Sequence, residues 1–209
     1  MVRANGHSDD DLVRRLLAGE EDAFLLLYRR WQRPIYRFAL HMTGNASIAE
    51  DVTQEVFMTL IREGGRYDSS LGSLSAYLFG IARNHVYKRY DRDRLLVPLP
   101  ENSVDRDTAA GSANGNGAHR NLIVAPVDLV RSEMIEMVRE AVLSLPGHYR
   151  EVVVLCDLQE MSYEEAATVL DCAVGTVRSR LHRARTLLAE KLAGLQSPES
   201  KSAAGGIRH

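Results

Sequence analysis

The chain has 209 residues, with 26 Lys and Arg against 28 Asp and Glu and a formal charge of −2. That length holds one large or two small domains. The near-balanced charge excludes a protein that holds nucleic acid by bulk charge alone, and the longest apolar run, Val152-Val-Val-Leu-Cys156, is too short to span a bilayer, so no membrane insertion is expected.

Met1 to His7 contains no apolar signal core, and a cytoplasmic protein is expected. Ser8-Asp-Asp-Asp11 predicts a helix start, running to Ala18 and stopped by Gly19. A second helix starts near Glu20 and carries Phe24, Leu27, Tyr28, Trp31, Ile35, Phe38 and Met42 as far as Gly44-Asn45. Pro34 falls inside it and is expected to kink or interrupt it. Ser47-Ile-Ala-Glu50 has the spacing of a capping box and opens a third helix through about Ile61, ended by Gly64-Gly65. On that helix Asp51, Gln54, Glu55 and Met58 share one face, while Val52, Val56 and Leu60 take the other, with Phe57 and Ile61 beside them. Spacing alone fits an ordinary solvated face better than an acidic docking surface for a basic partner. Ser73 is positioned to cap a fourth helix through Tyr77, Leu78, Ile81, Ala82 and Val86 towards Arg89 or Tyr90.

From Pro98 to about Asp128, Pro, Gly, Asn, Ser and Asp dominate and no periodicity survives, which reads as a flexible linker. Leu122-Ile-Val-Ala-Pro126 inside it is a patch able to dock on something. Beyond it, Ser162-Tyr-Glu-Glu165 is a second capping box, opening a short helix from Tyr163 to Leu170 with Tyr163, Ala166, Ala167 and Leu170 on its apolar face. Asp171-Cys172-Ala173 is a turn. The next helix places Val174, Val177, Leu181, Ala184 and Leu188 on an apolar stripe and Arg178, Ser179, His182, Arg183 and Arg185 off it. A short helix, a tight turn and a basic helix make a helix-turn-helix, whose second helix can enter a major groove. Basic amphipathic helices are commonly mere solvated surfaces. Ala166 and Ala167 permit close helix crossing, however, and Gly175 and Thr176 suit close approach to a phosphate. The two cysteines fit neither a CxxC nor a zinc spacing, so Cys156 reads as a small buried hydrophobe and Cys172 as a turn residue. The tail from Gln196 to His209 reads as disordered. No segment alternates convincingly, and the expected fold is all-α: two small helical domains joined by a flexible linker, the C-terminal one containing the helix-turn-helix.

These blocks, in this order around a linker, resemble the bacterial extracytoplasmic-function sigma factors of the sigma-70 family. Ala49-Glu-Asp-Val-Thr-Gln-Glu-Val-Phe57 is similar to the family's polymerase-clamp-binding helix, and Ser75-Ala-Tyr-Leu-Phe-Gly-Ile-Ala-Arg-Asn84 to its promoter-melting helix. Leu143 to Leu155, Met161 to Ala167 and Val174 to Arg185 resemble its C-terminal domain. The resemblance implies an N-terminal domain over 9–97, a linker over 98–129, a C-terminal domain over 130–195 and a tail over 196–209.

It also implies roles. Asp51, Gln54, Glu55 and Met58 would bind core RNA polymerase at the coiled coil of the β′ clamp, with the β flap as a further polymerase contact. Asn84 would hold a flipped base of the minus-ten element, an amide being able to donate and accept at a base edge. Arg83, Lys88 and Arg89 would sit near phosphates of the separated strand, although a solvated helix end accounts for them equally well. Arg178, Ser179, His182 and Arg183 would recognise the minus-thirty-five element, with Thr176 and Arg185 on phosphate. Promoter DNA and an anti-sigma factor are the remaining implied partners. No catalytic residue, metal or cofactor is expected. Two departures from the family are Tyr77, where Trp is frequent, and Val174, where Pro is frequent. Two other readings stand beside this one. A stand-alone helix-turn-helix repressor or activator leaves the clamp-like helix and the Tyr77–Asn84 block without a purpose. A non-initiating sigma-like adaptor does not need both DNA-reading blocks.

Overall fold

A computed structural model describes residues 7–96 and 126–196, with side chains at 7–90 and 133–194. Of the linker expected over 98–129, residues 98–125, with all but the last residue of the Leu122–Pro126 patch, lie outside these residues, as do residues 197–209 of the expected tail 196–209, whose first residue, Gln196, is the last of a helix. The described residues contain helices, turns and bends and no strand.

Helix α1, Asp9–Leu17, starts where Ser8 accepts a hydrogen bond from the Asp11 backbone at 3.2 Å. Asp9, Asp10 and Asp11 in its first turn and Arg14 and Arg15 in its last complement the helix dipole. Helix α2, Glu21–Thr43, runs through Pro34 without interruption. An internal proline costs about 3 kcal/mol. Ile35, Phe38, Ala39 and Met42, beyond the proline, are all buried. Each large apolar side chain fully buried returns roughly 1.5–3 kcal/mol, enough for tertiary packing to override the local penalty.

Helix α3, Ala46–Glu63, begins two residues earlier than a Ser47 cap would allow, because Asn45 takes that role and accepts from the Ile48 backbone at 3.1 Å. Ser47 lies within the first turn. Ser73 caps α4, Leu74–Leu96, by accepting from the Ala76 backbone at 3.3 Å. That helix continues past Tyr90.

Helix α5, Pro126–Leu143, opens on a proline, whose fixed φ and missing N–H suit a first helical position, so the last four residues of the stretch read as linker are helical. Helix α6, Gly147–Val153, passes into a π-helical turn, Val154–Leu158. Helix α7, Tyr163–Leu170, has the expected capping box between Ser162 and Glu165, and Asp171 ends it at φ 50°. Helix α8, Val174–Gln196, follows.

The buried residues form one continuous cluster that spans both halves. Leu27, Phe38, Leu60 and Leu78 belong to the first half, and Leu145, Leu155 and Leu181 to the second.

Candidate nucleic-acid and polymerase interface

Helix α8 divides as its sequence predicts. Val177, Leu181 and Ala184 are buried, with Val174 and Leu188 partly so. Arg178, Ser179, His182, Arg183 and Arg185 are exposed, and Thr176 is half-buried. The Arg178 guanidinium lies 5.7 Å from the centre of the Tyr163 ring, which supports it from α7 without covering it. The Ser179 hydroxyl donates to the Thr176 carbonyl at 3.0 Å. Arg185 stands apart. It donates through Nε and Nη2 to the two oxygens of Asp157, at 3.2 and 2.6 Å. A phosphate approaching Arg185 therefore competes with a bidentate carboxylate, whereas Arg178 and Arg183 present exposed side chains.

Helix α4 distributes its candidates over three directions. Asn84 and Lys88, one turn apart, are exposed together. Arg89 donates from Nη2 to Asp51 Oδ2 of α3 at 2.8 Å. Arg83 faces the C-terminal half, where its Nε donates to Glu151 Oε1 at 2.5 Å. The Arg83 guanidinium also lies 5.0 Å from the centre of the Tyr87 ring. Burial, then the Glu151 carboxylate and a hydrogen bond to it, raises the Tyr87 phenol above its ordinary value. Tyr77, the departure from the family's frequent Trp, packs on Tyr67 with ring centres 5.5 Å apart, and its hydroxyl donates to the Glu63 carbonyl at 3.4 Å.

On α3 the four expected polymerase contacts are all exposed but do not act as one face. Gln54 and Met58 line a groove of about 730 Å³ between α2 and α3, with Phe24, Tyr28, Phe57 and Ile61. Asp51 is turned to Arg89, and the Glu55 carboxylate is 3.7 Å from Arg62. Ile61, read as part of the apolar side, is 49% exposed, and Tyr28 is 37% exposed. Apolar groups left in water beside a groove are what a docking helix buries. This half of the surface was missed in the sequence, since Tyr28 is an ordinary member of α2's apolar run there. The surplus of apolar residues on α2 beyond a single face was the available signal.

Cys156 is half-buried and Cys172 lies in the turn before α8. Burial, then the Asp157 carboxylate, pushes the Cys156 thiol up to about 11, so little thiolate is present at neutral pH. Among the described residues no group of three or more His, Cys, Asp or Glu could hold a metal ion. No helix among them is long and apolar enough to cross a membrane.

Fold and surface together define an all-helical protein with a helix-turn-helix whose basic face is open to DNA. Residues 27–95 match the family described as Sigma-70 region 2, and residues 135–188 match Sigma-70, region 4. The chain is 30% identical to the ECF RNA polymerase sigma factor SigW of Bacillus subtilis over 187 residues, 88% of this chain and 96% of that protein. It is 35% identical to the ECF RNA polymerase sigma-E factor of Escherichia coli K12 over 188 residues, 88% of this chain and 94% of that protein. The solved structure of CnrH in complex with the cytosolic domain of CnrY has the same fold, with a TM-score of 0.65 at 24% identity, covering 91% of this chain and 100% of that one. The chain belongs to the extracytoplasmic-function sigma factors of the sigma-70 family. It directs RNA polymerase to promoters, and as a sigma factor it is a transcription initiation factor and not an enzyme.

Proposed function

We propose a division of labour in which each exposed face has its own partner. Residues 9–97 dock on core polymerase and open the promoter, 98–129 tether, 130–195 read duplex DNA, and 196–209 take no part. Gln54, Met58 and the α2–α3 groove receive the coiled coil of the β′ clamp, with Asp51 and Glu55 supplying charge at the rim. An acidic rim meeting a basic coiled coil gains steering and register. The C-terminal domain also meets the β flap. Asn84 holds an unstacked base of the minus-ten element, with Lys88 beside it and Arg83 and Arg89 recruited to phosphate. Arg178, Ser179, His182 and Arg183 read the minus-thirty-five element, and Thr176 and Arg185 contact phosphate. Unstacking a base costs a few kcal/mol, which a shaped site offsets while polymerase supplies the catalysis. The protein acts in the cytoplasm, and an anti-sigma factor is its regulator.

The observation that carries this reading is the pair of opposite faces on α8. Val177, Leu181 and Ala184 fix the helix in the core, which leaves Arg178, Ser179, His182 and Arg183 outside. Run-off transcription with purified core polymerase and a promoter library tests it. The wild-type chain is expected to give promoter-specific transcripts. Asp51→Arg with Glu55→Arg is expected to abolish holoenzyme formation while the chain stays folded, since both side chains are exposed. Holoenzyme at wild-type affinity with that double variant overturns the clamp assignment. Tight, sequence-specific binding as a dimer without polymerase favours the repressor reading instead.

A further inference from the structure

Arg178, Arg180, Arg183 and Arg185 fall within about two turns of α8, and one of them differs from the rest. Among the described residues Arg185 alone of these meets a carboxylate, through the bidentate contact with Asp157. Its partner sits in an uncommon backbone. Asp157 belongs to the π-helical turn Val154–Leu158, where the Gln159 N–H donates to the Val154 carbonyl, five residues back, at 3.0 Å. Val154 and Leu155 of that turn are buried, and the Met161 N–H closes on the Leu155 carbonyl at 3.0 Å. Single π turns inside helices cluster at functional sites. Here the widened turn carries a short acidic side chain from an anchored backbone to α8. The hydrogen bonds to Asp157, then its charge, raise the Arg185 pKa above its ordinary value.

The pair does little for the fold. The Arg185 side chain is 56% exposed and that of Asp157 29%, and exposed ion pairs contribute little net stability. What the pair changes is the charge that DNA can use. Non-specific affinity for a duplex comes almost wholly from neutralised phosphates, each adding about 0.9 to the slope of log affinity against log salt. An arginine already facing two carboxylate oxygens adds nothing to that slope until the pairing breaks, and the carboxylate repels the same phosphate. The position of Arg185 on α8 matters as well. It lies seven residues after Arg178, about 10.5 Å along the helix at 1.5 Å per residue. A recognition helix places its N-terminal residues on base edges, in a groove about 8.5 Å deep. With Arg178 at the bases, Arg185 is level with the rim of the groove, where the phosphates run.

We propose that Asp157 is a specificity-determining residue of the DNA-reading domain: it holds Arg185 back from the phosphates of an arbitrary duplex and yields it only where Arg178 and Arg183 have seated α8 on their bases. The proposal rests on the reading of α8 given above. On an arbitrary duplex the helix shifts over the backbone and no phosphate stays in one place. The fixed carboxylate, with two charge-assisted hydrogen bonds, then keeps the guanidinium. On the promoter the seated helix holds one phosphate at the rim for as long as the base contacts last. Arg185 transfers to it, and Asp157 is left to water. Without Asp157, Arg185 strengthens binding to every sequence and lowers the ratio of promoter to non-promoter affinity, the quantity that matters against a genome of competing sites.

The test uses holoenzyme assembled from core polymerase and the full chain. It is bound to a promoter recovered by run-off transcription and to the same duplex with its minus-thirty-five element scrambled. On the scrambled duplex Asp157→Asn is expected to bind tighter than wild type at low salt. It is also expected to lose about three- to fourfold more affinity than wild type between 50 and 200 mM salt, the contribution of one further phosphate. On the intact promoter its salt slope is expected to match wild type, because Arg185 is already on phosphate there. Asp157→Glu keeps a carboxylate within reach, and Asp157→Asn with Arg185→Ala removes the freed charge. Both are expected to return the wild-type slope on the scrambled duplex. A purely structural role for the pair moves the denaturant midpoint and none of these slopes. An unchanged slope for Asp157→Asn on the scrambled duplex overturns the proposal, as does an equal rise on both duplexes. If wild-type holoenzyme binds the two duplexes equally, the reading of α8 fails instead, and the two failures are thereby distinguished.

Discussion

Helices α4 and α8 are each 23 residues long, and each carries arginines assigned to DNA, yet the two treat those arginines differently. On α8 the buried stripe and the basic face are opposite sides of one cylinder, so Arg178 and Arg183 stand outside the fold whatever the rest of the chain does. On α4 the candidates radiate: Arg83 to Glu151, Arg89 to Asp51, and only Asn84 and Lys88 outward. The helix proposed to read duplex DNA presents Arg178 and Arg183 outward as it stands. The helix proposed to open the promoter has two of its arginines, Arg83 and Arg89, paired with carboxylates of other helices.

The largest effect should come from breaking the stripe that keeps α8's two faces apart. Leu181 is 1% exposed, and Leu181→Ala should cost about 2–5 kcal/mol, read as a fall in the denaturant midpoint. A stability loss below about 1 kcal/mol would mean that α8 is not fixed by this packing. Next in size, Arg178→Ala or Arg183→Ala should leave the midpoint unchanged and weaken minus-thirty-five recognition. A bidentate guanine contact predicts a loss of roughly 1–3 kcal/mol confined to one base position, and a uniform loss over all sequences would reassign that arginine to phosphate. Smaller again is Asn84→Ala on α4. Closed-complex formation should survive while permanganate reactivity of minus-ten thymines falls, and a promoter mismatched in that region should partly restore opening. Equal rescue of the α8 arginine variants by the same mismatch would show that the two helices do not divide reading from opening.

The smallest effect concerns pH. Burial, then Arg37 and Arg139, lowers the His41 pKa below its ordinary 6.5. The folded chain therefore resists a proton that the unfolded chain accepts, and stability should fall as pH drops through about 6.5 and be unaffected well above it. His41→Gln should lessen the fall in melting temperature between about pH 7.5 and 5.5. An identical slope in both proteins would place the linkage elsewhere.

What the sequence made legible was local. The capping box at Ser162 and Glu165, the turn at Asp171-Cys172-Ala173 and the 3.6-residue stripe from Val174 to Leu188 involve partners a few residues apart, and the structure reproduces them. At Pro34 local propensity favours a break, while burial of Ile35, Phe38 and Met42 keeps the helix uninterrupted. Asn45 was overlooked as a cap because Ser47 and Glu50 have the more conspicuous spacing. The pairs that set Arg83 and Arg185 apart from their neighbours could not be read at all. Glu151 is 68 residues from Arg83 and Asp157 is 28 from Arg185, and no periodicity connects them. The exposed face on α3 was legible, but its split between the groove and Arg89 depends on how α2 and α4 pack around it.

Gly44 gives this architecture a genetic signature. It ends α2 at φ +70°, its carbonyl accepts from Arg139 at 3.3 Å, and a Cβ placed on it would lie 3.0 Å from a Leu143 methyl. Any replacement must adopt a left-handed backbone with a side chain, and must also push α5 away from the end of α2. One codon therefore carries two burdens that selection normally sees separately, the termination of a helix and the seating of one domain on another.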